Sequence, residues 1–114
     1  MIQLEATIDD DDILTGYHAN GHAGAGERGA DIVCAAISVL SRSLARALRG
    51  KEGINISMDT LERGTFSAAI SYSDNAKQFL RGAGSFLLEG LRSVAEEYPE
   101  HCNLTIVKIK RPKT

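Results

Sequence analysis

Four glycines, Gly21, Gly24, Gly26 and Gly29, fall between Ala19 and Ala30, and no regular element is expected to survive that density. The stretch is read as a loop dividing two kinds of pattern. Before it, Ile2, Leu4, Ala6 and Ile8 alternate with Gln3, Glu5 and Thr7, the period of a half-buried strand. After it, Val33, Ile37, Leu40, Leu44 and Leu48 recur at spacings of three and four, the period of an amphipathic helix. Asp31 is placed to cap that helix and Gly50 to end it. Arg42, Arg46 and Arg49 occupy its later turns, where cations suit the negative end of the helix dipole.

The rest of the chain continues the alternation. Asp9 to Asp12 repel one another and predict a solvated turn, leading into an extended run from Ile13 to His18. Ile54, Ile56 and Met58 predict one strand, and Phe66, Ala68, Ile70 and Tyr72 another, joined by a polar turn around Glu62 to Gly64. A second helix is predicted from about Asn75 to Tyr98, with Phe79, Ala83, Phe86, Leu87, Leu91 and Val94 on one face and Pro99 as its stop. Gly82, Gly84 and Gly90 inside it mark a close approach or a kink. In the last strand, Leu104 to Lys110, the inward parity shifts between Ile106 and Val107, which predicts a bulge or two covered faces. The order is ββαββαβ. The expected fold is α+β, a single domain over residues 1–114 with one mixed sheet and two helices packed on it.

Composition narrows the class. Hydrophobic residues make up 43% and charged residues 25%, which excludes intrinsic disorder. No apolar run approaches the ~18 residues of a membrane span, and no signal peptide is evident, so a small soluble cytoplasmic protein is expected. The net charge of −2 argues against a broad grip on phosphate backbones and leaves room only for a local patch, so no direct nucleic-acid contact is expected.

Chemistry concentrates between Tyr17 and Ser38. With Asp31 as cap, Cys34 would fall in the first helical turn, near unpaired N–H groups that could also hold an oxyanion. A free thiol near pKa ~8.5 is mostly protonated at neutral pH, and a helix dipole supplies only about 0.3–1 kcal/mol. A nearby imidazolium is therefore needed, and His22 is the candidate, able to stabilise the thiolate and then protonate a leaving amine. Ser38 shares the face of Cys34 one turn on. Other readings stand beside this one. Cys34 can be plain core packing. His18, His22 and Cys34 offer three zinc ligands without a clear fourth, and the acidic turn offers calcium ligands at the wrong spacing. Gly24 to Gly29 matches GxGxxG but precedes its helix by too much for a dinucleotide site. Cys102, beside His101, is read as structural.

The segments Gly21-His22-Ala23 and Asp31 to Ser38, DIVCAAIS, resemble the motifs of the ribosomal-processing cysteine protease Prp family, and length and element order agree along the chain. The resemblance implies a bacterial endopeptidase that removes an N-terminal extension from a large-subunit ribosomal protein precursor. It implies His22 as base and Cys34 as nucleophile, with Gly21, Asp31 and Ser38 at accompanying motif positions, no cofactor, no metal, and a homodimer. The competing classes are a non-catalytic ribosome-associated module binding protein or RNA, and a thiol redox protein that would need Cys102 as partner.

Overall fold

A computed structural model describes residues 1–21, 28–62 and 65–111. Its elements are β1 (Ile2–Ile8), β2 (Leu14–Asn20), α1 (Arg28–Leu48), β3 (Ile54–Glu62), β4 (Thr65–Tyr72), a 3-10 turn (Asp74–Ala76), α2 (Lys77–Glu97) and β5 (Cys102–Lys108). The five strands form one sheet in the order β3-β4-β2-β1-β5. All neighbours are antiparallel except β1 and β5, which run parallel, so the sheet is mixed as expected.

Alternation decides which face is covered. Ile2, Leu4 and Ala6 of β1, Tyr17 and Ala19 of β2, and Ala68, Ile70 and Tyr72 of β4 are buried, while Gln3, Glu5 and His18 between them are exposed. The buried residues meet Val33, Ile37, Leu44 and Leu48 of α1 and Leu80, Leu87 and Leu91 of α2 in one core. The helices lie antiparallel, with Leu40 of α1 against Gly90 of α2 and the Lys51 ammonium 4.5 Å from the centre of the Phe79 ring. Of the three glycines expected to mark a close approach or a kink, Gly84 and Gly90 are close approaches, whereas a Cβ on Gly82 would meet nothing within 4 Å. A Cβ on Gly84 would come within 2.9 Å of Leu14 Cβ, and one on Gly90 within 2.8 Å of Leu40 Cδ2.

The structure corrects four expectations. Helix α1 begins at Arg28, so Asp31 lies inside it and is not its cap. The buried line of α2 runs through Leu80, Gly84, Leu87 and Leu91, leaving Phe79 and Phe86 exposed by 43% and 77%. Strand β5 pairs with β1 in unbroken register from Ile2↔Cys102 to Ile8↔Lys108. It therefore has no bulge at Ile106, and both Ile106 and Val107 are partly exposed because β5 is a sheet edge.

The fourth correction concerns the acidic turn. Asp9 is fully buried. Its Oδ1 accepts the N–H groups of Asp11 at 2.9 Å and Ile13 at 3.1 Å, and its Oδ2 accepts the Tyr72 hydroxyl. Arg111 stacks 4.0 Å from the centre of the Tyr72 ring, donates to the Tyr72 carbonyl at 2.7 Å and pairs with Asp74 at 3.2 Å. Burial alone would raise the Asp9 carboxyl, but its hydrogen bonds and the Arg111 charge outweigh burial and hold it below the ordinary value. Burial, with the bond to Asp9, pushes the Tyr72 phenol up to about 12.

Candidate active site

The site is assembled at the end of the sheet where β2 finishes, β4 starts and α1 begins. Gly21, the residue before His22, turns the chain out of β2 at φ 116°. A side chain there would place its Cβ 2.3 Å from the Met1 carbonyl oxygen, so only glycine fits both the backbone angle and the space. His22 itself lies outside the described residues, as does the Asp31 side chain.

One buried contact pins α1 over the sheet. Ser41 Oγ donates to the Tyr17 hydroxyl at 3.0 Å, and the Tyr17 ring packs on Phe66 with centroids 5.3 Å apart. Burial pushes the Tyr17 phenol up to about 12, keeping it protonated. Cys34 stands seven residues before Ser41, about 10 Å nearer the helix start at ~1.5 Å per residue, and on the same face. Ser41 is buried, whereas Cys34 and Ser38 are exposed, so the thiol's side of α1 is open near the helix start. The sheet below opens at the same end. Ile54 of β3 and Ile70 of β4 are buried, while Met58 and Phe66, nearer the site, are only half-buried. Among the described residues, the exposed thiol and these half-buried apolar side chains belong to the same end of the fold.

The helix start changes part of the expected chemistry. Cys34 lies in the second turn, where its own N–H is committed to the intrahelical ladder. The unpaired N–H groups of α1 belong to its first turn, before Cys34 in the chain. The dipole is therefore weaker at the sulfur than first-turn placement implies, and the N–H of Cys34 is not free for an oxyanion.

The competing ligand sets fare as follows. His18 projects from the sheet face opposite the helices, in register with Glu5 and Ser67, and cannot share a metal with Cys34. In the acidic turn, the carboxylates of Asp9, Asp10 and Asp11 come within 4.8 Å of one another, but protein donors occupy both Asp9 oxygens, Lys77 pairs with Asp11 at 3.0 Å, and Asp10 accepts the Arg111 N–H. Cys102 is buried, and burial pushes its thiol up, which makes it a poor redox partner. Sequence reasoning missed Tyr17 and Ser41; the available signal was a serine interrupting the apolar stripe between Leu40 and Leu44.

Cys34 is an exposed free thiol on α1, the group that a thiol-dependent hydrolase would use as its nucleophile. The family model described as cysteine protease Prp matches residues 1–103. The chain belongs to the cysteine protease Prp family. Solved structures agree with that assignment. The protein SMU.848 from Streptococcus mutans is 32% identical, with 95% of each chain covered and a TM-score of 0.78. The essential ribosomal processing protease Prp from S. aureus, in complex with a substrate peptide, is 27% identical over 93% of this chain and 99% of that chain, with a TM-score of 0.76. The same protease with a covalently linked product peptide is 28% identical over the same shares, with a TM-score of 0.75. No curated protein matches the chain.

Proposed function

We propose that the protein is a cysteine endopeptidase that removes the N-terminal extension of a large-subunit ribosomal protein precursor in the bacterial cytoplasm, supporting ribosome assembly. The observation that carries this reading is Cys34, an exposed thiol on α1 in a chain of the Prp family. The Cys34 thiolate attacks the scissile carbonyl carbon, the C–N bond breaks, and His22 gives its proton to the departing amine. Water, deprotonated by the same imidazole, then hydrolyses the thioester and restores the thiol. Gly21 sets the path of the chain into His22, while Asp31 and Ser38 flank Cys34 on α1. Residues 1–114 act as one protease domain and need no cofactor. A peptide as substrate is supported by the S. aureus relative, which was solved with substrate and product peptides.

A second copy is part of the reading. Ile32 and Val39 of α1 and Phe79 and Phe86 of α2 are 50%, 52%, 43% and 77% exposed on the helix layer. Their exposure supports a homodimer formed through that layer, to be checked by sedimentation with Phe86→Lys expected to give monomer. The function is tested by intact mass of the extended precursor after incubation with wild-type and Cys34→Ala protein. A defined N-terminal fragment released by wild type alone is expected. No cleavage by folded, reduced wild type would favour a non-catalytic ribosome-associated module.

A further inference from the structure

Strand β5 closes one side of the sheet, with β1 as its neighbour and no strand beyond it among the described residues. The Ile2 N–H donates to the His101 carbonyl at 2.9 Å, and the Ile109 N–H donates to the Ile8 carbonyl at 2.8 Å. Odd-numbered residues of this segment therefore turn their backbone groups toward β1, and the N–H and carbonyl groups of Leu104 and Ile106 point outward from the edge. The side chains of those two residues share the helix-covered face with Leu4 and Ala6, their partners in register. There they meet Ala95 and Pro99 across a groove of about 320 Å³. Leu104 is half-buried and Ile106 is 37% exposed. The two edges of the sheet differ on the opposite face. Strand β3 carries Asn55, Ser57 and Asp59 there, whereas β5 adds Val107, 36% exposed.

The groove is bordered by carboxylates that the fold itself does not use. Glu96 and Glu97 stand in the last turn of α2, Glu100 follows, and that turn holds no cation. Carboxylates oppose the negative end of a helix dipole, and α1 ends the favourable way, with Arg46 in its last turn. Glu96, which lines the groove, and Glu100 beyond it have no partner among the described residues. The nearby cations are committed elsewhere, Arg92 to Glu89 and Lys108 to Asp12. Ala95 lies nine residues from Phe86, about 180° around α2, so the groove is on the flank opposite the surface given to a second copy. It begins at the end of the sheet that holds Cys34, because Cys102 pairs with Ile2 and Gly21 packs on Met1. Strand β5 is two strands from β2, about 10 Å at ~4.8 Å per strand, a span of about three extended residues.

We propose that the groove between α2 and β5 docks an extended stretch of lysine- or arginine-rich polypeptide, which adds to β5 as a further strand. Leu104 and Ile106 supply the backbone pairing and an apolar contact, and Glu96 and Glu100 answer the cations. The open edge calls for an extended chain, and the unpaired carboxylates call for a positive one. Which polypeptide docks rests on the protease reading: it is the basic mature portion of the precursor, held here while the extension reaches Cys34. A ribosomal protein is basic because it neutralises RNA, so shape and charge favour the same occupant.

The test is fluorescence anisotropy of a labelled octapeptide alternating lysine and valine, titrated with the full chain at low and at physiological salt. Binding is expected at low salt and weakens as salt rises. The corresponding glutamate–valine peptide is expected to bind at least about tenfold more weakly. Glu96→Gln/Glu100→Gln should bind the lysine peptide about fivefold more weakly, with a flatter salt response. Ile106→Pro should bind at least about tenfold more weakly while keeping its fold, since an edge strand accepts proline where the N–H faces solvent. If that variant melts early, the Gln variant decides alone. Absence of wild-type binding, equal binding of the glutamate peptide, or equal binding by the deciding variants overturns the proposal. Cleavage is followed in parallel. For the full precursor both variants should raise KM several-fold at unchanged kcat, while a short peptide spanning the scissile bond is cut within about twofold of wild type. An unchanged KM overturns the substrate assignment. Absence of cleavage by wild type defeats the protease reading, and the anisotropy titration still decides the groove.

Discussion

The two ends of the sheet solve opposite problems. At the end holding the Asp9 turn, a buried carboxylate is met by two backbone N–H groups and the Tyr72 hydroxyl, and Arg111 closes over the ring. At the Cys34 end, a thiol and a serine are exposed, and Met58 and Phe66 are only half covered. One end satisfies its polar groups internally; the other, among the described residues, leaves a thiol exposed and apolar side chains half covered. Stability and chemistry are therefore separable along the strands, and substitutions at the two ends should fail in different ways.

The largest expected effect is at the open end. Cys34→Ala should lower precursor cleavage by at least about 10³-fold while leaving the thermal midpoint within the range of a neutral surface change, about 0.5 kcal/mol. A large shift in the melting curve would break the comparison by making Cys34 part of the packing. Asp9→Ala should do the reverse, costing about 3 kcal/mol because it strands the Tyr72 hydroxyl and two N–H groups, with kcat/KM below the melting range little changed. Urea titration together with a cleavage assay at low temperature reads both quantities.

Acid should act at the closed end first. Asp9 is held below its ordinary value of 3.8, so its folded-state advantage is complete above that value and is lost as pH falls through the lower folded value. Melting curves across that window should steepen in their pH dependence for wild type and flatten for Asp9→Asn. The smallest effect tests the link between the ends. Ser41→Ala removes the donor to Tyr17 and should cost about 1 kcal/mol. A several-fold loss of kcat with it would show that this contact also positions Cys34, whereas unchanged kcat would confine it to packing.

The periodicities were enough for element order, because each strand and helix covers one face and repeats its own spacing. Helix α2 shows the limit of that signal. Its packing line includes Gly84, and Gly90 lets Leu40 approach, so the helix seats on residues that carry no hydrophobic weight and turns Phe79 and Phe86 outward. Asp9 was misread for a related reason, since four consecutive carboxylates look equivalent until Tyr72 and Arg111, remote in sequence, select one for burial. At the site, the motif residues around Cys34 were legible, but the helix start was not. Gly29 is taken into the first turn of α1, moving Cys34 one turn further from the positive end than a cap at Asp31 implied.

The parallel pairing of β1 with β5 joins Ile2 to Cys102 and makes β1 depend on a strand that follows every other strand of the sheet in the chain. A nascent chain carrying β1 and β2 has an open edge that stays unfilled until residues 102–108 have cleared the exit tunnel. Strand β1 therefore joins the sheet through one local pairing, with β2, and one remote pairing, with β5, and the remote one carries the larger loop-closure cost.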